Sequence, residues 1–227
     1  MTLALLLAAA LAQSCPVPPE AAPALAARAD AERLDFLRGR LEAEASRVTV
    51  WRGAWGATYA LGTLGQLAAA GAVATEDRPD WLWGAASTAV GVAFTIIGTP
   101  EVMDDGPDFA RRSAAPGSDP CALIAEGERL LLKDAGNETA GVQWYWHVAN
   151  VVFNAGMSLI VGLGYGHWVS ALVNFLVGAG LGEGTLFTQP TALEAAWQGY
   201  LAGGLGPSVR APGPSLRFGQ LGLALAF

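Results

Sequence analysis

Four long stretches of this chain carry almost no charge: residues 55–74, 81–98, 147–164 and 168–187. The first three contain no Asp, Glu, Lys or Arg, and the fourth contains Glu183 alone, near its end. A helix rises about 1.5 Å per residue, so about 20 apolar residues cross a ~30 Å hydrocarbon core. An ionised side chain at mid-bilayer costs about 3 kcal/mol or more, so charge excluded over four such lengths is the pattern lipid imposes. Trp51, Trp55, Trp81, Trp83, Trp144, Trp146 and Trp168 stand at the ends, where an indole suits the membrane interface. The expected fold is therefore all-α. It is a four-helix transmembrane bundle of two similar helical hairpins, with an N-terminal amphipathic helix and a short C-terminal helix and tail.

The competing reading is a buried helical core in a water-soluble protein, and composition weighs against it. Charged residues make up 15% of the chain and hydrophobic residues 52%, whereas a soluble domain usually carries about 25% charged residues to cover its surface. A net charge of -7 excludes a phosphate-backbone partner, so no nucleic acid is expected. Two cysteines are too few for a disulfide-dense scaffold or a four-cysteine zinc site.

The chain divides by composition. Residues 1–12 read as a signal peptide: the apolar run 3–11 is too short to span, and Ala10-Leu11-Ala12 has the small-x-small form of a cleavage site. Lipidation at Cys15 is the alternative, although Ala12-Gln13-Ser14-Cys15 lacks the usual leading Leu. Residues 13–54 hold a Pro-rich tether and an amphipathic helix, whose Leu34, Leu37, Leu41, Ala45 and Val48 repeat at helical spacing. Residues 55–100 form the first transmembrane hairpin and 101–143 an exported loop with a short helix over 122–134. Residues 144–190 form the second hairpin, and 191–227 a helix over 191–201 and a tail. Asp104-Asp105-Gly106-Pro107 and Pro116-Gly117-Ser118-Asp119-Pro120 read as loop. In the tail Leu221, Leu223, Leu225 and Phe227 alternate as in a barrel strand, which keeps an outer-membrane association as an alternative.

The hairpins look like one plan used twice. Glu32-Arg33-Leu34 recurs as Glu128-Arg129-Leu130, Trp55 corresponds to Trp146, and Trp81 to Trp168. Arginines before the first span favour a cytoplasmic N-terminus by the positive-inside rule, whereas the signal peptide favours export. Acidic residues interleave with those arginines, so export is the expectation. The location is then the membrane of a bacterial-type cell envelope, with N-terminus, central loop and C-terminus outside. Cys15 and Cys121 share one side, and an oxidising compartment would allow one disulfide between them.

Polar residues in the spans fall on faces. His147, Asn150, Asn154 and Ser158 recur at i, i+3, i+7 and i+11, and Asn174 shares a face with Gly178 and Gly182. Lipid tails offer no hydrophobic drive between helices, so such stripes serve packing through small residues and interhelical hydrogen bonds. They can also line a path for a proton, ion or small solute, with Glu183 as the carboxyl on that path. The two histidines are twenty residues apart and cannot share a metal, so neither metal nor cofactor is expected. The expected function is a non-enzymatic envelope membrane protein, a scaffold or subunit of a membrane complex. Its partners would be the bilayer and a second membrane protein or copy. A small transporter or channel component using the stripe is the alternative.

Overall fold

The computed structural model describes residues 14–98 and 100–206, and the backbone of two strands at 215–219 and 222–226. The signal segment 1–12 lies outside the described residues. Helix α1 is Pro23–Ala26, α2 Asp30–Ala72, α3 Arg78–Ile97 and α4 Val102–Ser113. Then come α5 Pro120–Gly141, α6 Trp144–Tyr165, α7 Trp168–Phe187 and α8 Leu193–Leu201. Strands β1 (Ser215–Gly219) and β2 (Gly222–Ala226) pair antiparallel, with Gly219 opposite Gly222.

The described chain has two regions of opposite polarity. One is a head built from α1, the first half of α2, α4, α5 and α8. Its interior is ordinary hydrophobic core: Leu25, Leu37, Leu41, Phe109, Ile124 and Leu131 are fully buried together. Each such side chain contributes about 1.5–3 kcal/mol by leaving water. Phe36, Tyr200 and Trp197 stack in sequence, with ring centroids 5.6 and 5.9 Å apart. Cys15 and Cys121 are joined by a disulfide with Cα atoms 5.1 Å apart, which ties the N-terminal segment to the start of α5.

Arg33, 1% exposed, binds that segment from inside. Its guanidinium donates to the carbonyls of Cys15 (2.9 Å) and Pro16 (2.7 Å), to Glu128 (2.8 Å) and to the Tyr200 hydroxyl (3.0 Å). A buried guanidinium is tolerable only when its charge and donors are met in this way.

The other region holds the second half of α2 with α3, α6 and α7. α2 packs along α3, α6 along α7, and α3 joins the two pairs. The connection between α6 and α7 is only Gly166 and His167, and Gly166 takes a left-handed φ of 76° that closes the helix on Gly162. Among the described residues, every exposed large hydrophobic side chain except Val50 and Leu132 lies on these four segments. Val169 is 80% exposed and Leu163 72%. Their buried positions are mostly small or polar, Thr88, Thr95, Asn154, Ser158 and Thr185 beside Ala85 and Ala171, with Val161 and Leu186 as larger apolar residues among them. Three helices, those beginning at Arg78, Trp144 and Trp168, are long and apolar enough to cross a membrane.

Several sequence expectations need correction. The stretch 55–74 is free of charge but not among the three, because Thr58, Tyr59, Thr63 and Gln66 dilute its apolar content. The amphipathic helix runs directly into this segment: α2 is unbroken for 43 residues (roughly 65 Å). Asp104-Asp105-Gly106-Pro107 is not loop but lies inside α4. Burial of Val102, Gly106 and Phe109, spaced four and three apart, outweighs the local turn chemistry of Gly-Pro. Gly106 is required there, because a Cβ would stand 2.6 Å from the Leu41 carbonyl oxygen. The short helix expected over 122–134 runs from Pro120 to Gly141, capped by Asp119, whose carboxylate accepts from the Cys121 amide at 2.9 Å.

Candidate functional site

The polar stripe of α6 meets α7 along a line of glycines. Asn154 lies against Gly178 and Asn150 against Gly182, so closely that a Cβ on either glycine would overlap the amide. Small residues at these two turns let polar side chains enter the helix contact and find backbone partners. Asn150 Nδ2 donates to the Ala179 carbonyl (3.0 Å) and to Glu183 Oε1 (2.9 Å). Asn154 Nδ2 donates to the Asn150 carbonyl (2.9 Å) and Oδ1 (2.8 Å), and the Ser87 hydroxyl donates to Asn154 Oδ1 at 3.2 Å. His147 Nδ1 stands 2.5 Å from Glu183 Oε2, its ring stacked obliquely on Phe187. His147, Asn150, Asn154 and Glu183 thus form one connected network.

The remaining stripe residues are elsewhere. Ser158 is buried further along α6. Asn174 lies at the far end of the helices, where Nδ2 donates to the Asp80 carbonyl at 3.2 Å. There His167 Nδ1 pairs with Asp80 at 2.7 Å, so each end of these helices carries one histidine–carboxylate pair.

Residues outside the expected stripe complete the interior. The Tyr59 and Thr185 hydroxyls bond at 2.8 Å, Thr63 donates to Thr88 at 2.9 Å, and the Trp55 indole donates to Thr188 at 2.8 Å. Between α3 and the α6–α7 pair is a cavity of about 200 Å³. Tyr59, Ser87, Asn150 and Asn154 line its inner part, and Phe94 and Phe153, both part-exposed, stand toward the outer face. The network offers hydrogen bonds to a small polar guest. It contains no thiol nucleophile, since both cysteines of the chain are in the disulfide.

A second group of titratable residues, unforeseen in the sequence, lies where the head meets the apolar region. Asp134 and Glu138 on α5 and Glu44 on α2 are all more than nine-tenths buried. Arg47 answers Glu44 at 2.6 Å, and the Leu193 amide donates to Glu138 Oε2 at 2.8 Å. Glu44 Oε1 and Glu138 Oε1 are buried without a hydrogen-bond partner, and burial raises both carboxyls above the usual range. Burial first, and then the Glu44 charge, pushes the Glu138 carboxyl up to about 9. Burial pushes Asp134 up to about 7 despite the opposing pull of Lys133. Neither Asp134 oxygen has a hydrogen-bond donor; Lys133 Nζ stands 3.7 Å from Oδ1 and pairs instead with Glu101 (2.9 Å) and Asp105. Carboxylate oxygens of Glu101, Asp105 and Asp134 lie within 4.8 Å of one another, a spacing suited to a cation. In this structure the Lys133 ammonium answers that charge.

Compared with protein-family models, with curated proteins and with solved structures, the chain shows no significant match in any of the three.

Proposed function

We propose that this chain is a non-enzymatic integral membrane protein of a cell envelope. The second half of α2 and helices α3, α6 and α7 form a four-helix transmembrane bundle of two hairpins, and the disulfide-closed head is presented on the exported side. Its role is that of a scaffold or subunit, holding the head at the membrane surface for a second membrane protein or another copy. The observation that carries this is the reversal of polarity between the two regions. Water-soluble proteins rarely leave more than a few hundred Å² of contiguous apolar surface exposed, and these four segments carry nearly all of the exposed large apolar side chains among the described residues. Lipid is the solvent for which large apolar side chains outside and Asn, Ser and Thr inside is the favourable order.

The disulfide supports the compartment, because such bonds persist where the surroundings are oxidising. The stripe supports scaffold over catalyst, because Asn150 and Asn154 spend their donors on the chain's own carbonyls and carboxylate. The decisive experiment is mild cross-linking in native membranes followed by affinity capture in detergent. A scaffold is expected to bring a second membrane protein, or itself, in fixed proportion; capture of the monomer alone refutes it.

A second reading is favoured by the cavity of about 200 Å³ beside Asn150 and Asn154: passage or binding of a small polar solute. Under it, reconstituted vesicles show a solute- or proton-dependent flux that Glu183→Gln abolishes without loss of folded protein. Flux indistinguishable from empty vesicles removes this reading.

A further inference from the structure

The crevice between head and apolar helices has the chemistry of a site for a positively charged organic group. Its volume is about 350 Å³. Trp51, Trp146 and Phe94 contribute aromatic walls, and Glu101, Asp134 and Glu138 contribute carboxyls; among the described residues no Lys, Arg or His lines it. Two of those carboxyls are buried with oxygens that have no donor: both of Asp134, and Glu138 Oε1. A buried acceptor without a donor costs about 1–3 kcal/mol. Such a cost is ordinarily relieved by rearrangement, by water or by a ligand.

We propose that this crevice binds an organic ammonium group, held by Asp134 and Glu138 and enclosed by Trp51, Trp146 and Phe94. Two features separate this class from an inorganic cation. Aromatic faces attract ammonium and quaternary ammonium groups through the ring quadrupole, and they give nothing to an ion that keeps its water shell. The neighbouring carboxylates Glu101 and Asp105 are moreover already engaged by an ammonium, that of Lys133. The group could arrive on a soluble amine or on the headgroup of a bilayer lipid. The crevice borders the ends of α3 and α7 and the start of α6, which is headgroup level if the bundle spans as proposed above. The lipid source rests on that reading; the site itself does not.

The test uses the full chain purified in dodecyl maltoside, which carries no ammonium group. Tetramethylammonium chloride and choline chloride are titrated and followed by tryptophan fluorescence. Sodium chloride and 3,3-dimethylbutan-1-ol, the uncharged isostere of choline, serve as controls. The expected result is a saturable change with both ammonium ions only, weakened about tenfold or more in Asp134→Asn with Glu138→Gln. Both replacements are near-isosteric, and Asp134 has no hydrogen bond to lose. Trp146→Leu, which leaves every carboxyl in place, is also expected to weaken binding, so the outcome does not rest on one variant folding.

Repeating the choline titration in nanodiscs distinguishes the sources. A response suppressed in phosphatidylcholine but retained in phosphatidylglycerol assigns the site to a lipid headgroup, and a response retained in both assigns it to a soluble amine. The proposal is overturned if sodium or the neutral isostere gives the same response, if neither ammonium ion gives any, or if the double variant binds as the parent does. Failure of the spanning reading would appear differently, as protein that stays soluble without detergent.

Discussion

Replacing Asp134 by Asn removes the charge that burial penalises most simply, and the consequence can be worked out with its sign. In the folded head Asp134 is raised from an ordinary 3.8 to about 7, while in the unfolded chain it titrates near the ordinary value. Between those values the folded state holds a proton that the unfolded state has released. The contribution of Asp134 to stability is therefore most favourable below about pH 4 and falls as pH rises towards 7. Three pH units correspond to about 4 kcal/mol at most, a ceiling that local relaxation and water reduce to a few kcal/mol.

Asn is neutral at every pH in question, and Lys133 keeps Glu101 and Asp105 as partners. Asp134→Asn is thus expected to match the parent near pH 4 and to exceed it by about 2–4 kcal/mol at pH 8. The measurement is denaturant unfolding of the detergent-solubilised chain at pH 4.5, 6, 7 and 8, read by head tryptophan fluorescence. Glu138, raised to about 9, should continue the decline above pH 7 in both proteins. A variant no more stable than the parent at pH 8, or a parent whose stability rises between pH 5 and 7, would refute the reasoning.

Three other perturbations follow from the same contacts. Arg33→Ala leaves the Cys15 and Pro16 carbonyls without this donor and Glu128 with the Tyr200 hydroxyl but no opposite charge, and should cost the head on the order of 3 kcal/mol in the same unfolding assay. Cys15→Ser with Cys121→Ser opens a link spanning 106 residues, and in the loop-entropy description should lower stability by about 4–5 kcal/mol; reduction of the parent should reproduce the loss. Gly182→Val places two methyl groups where the Asn150 amide sits, so α6 and α7 must separate. A lower melting temperature in detergent is expected, with Gly180→Val, which meets no neighbouring atom, as the unaffected control.

The apolar helices were legible in the sequence because exclusion of charge over a helix length is a local property of composition. The stripe was legible for a similar reason: His147, Asn150 and Asn154 advertise themselves at helical spacing, and the glycines that receive them repeat every four residues. What the spacing could not give was the partner, whether backbone, Glu183 or a cavity. Helix α4 was hidden because Asp-Asp-Gly-Pro is turn chemistry taken alone, and only burial against Leu41 and Ala45 of α2 converts it to helix. The continuity of α2 from its amphipathic half into the charge-free stretch was open in the sequence, since no proline or turn cluster separates the two. The acidic group was out of reach altogether. Glu44 and Glu138 lie 94 residues apart, each looks like a solvated helix charge, and only tertiary packing buries them together.

The most direct test of the membrane-spanning bundle is the solvent around its outer faces. Single cysteines at Val152 and Val173, 63% and 53% exposed, and at Arg111 in the head can each carry a nitroxide in the bilayer-reconstituted protein. Spin relaxation by oxygen, which concentrates in lipid, is then compared with relaxation by a water-soluble nickel chelate. Labels at 152 and 173 should respond to oxygen and be shielded from the chelate, and the label at 111 should do the reverse. Chelate access at 152 and 173 equal to that at 111 would mean that water, not hydrocarbon, surrounds these helices.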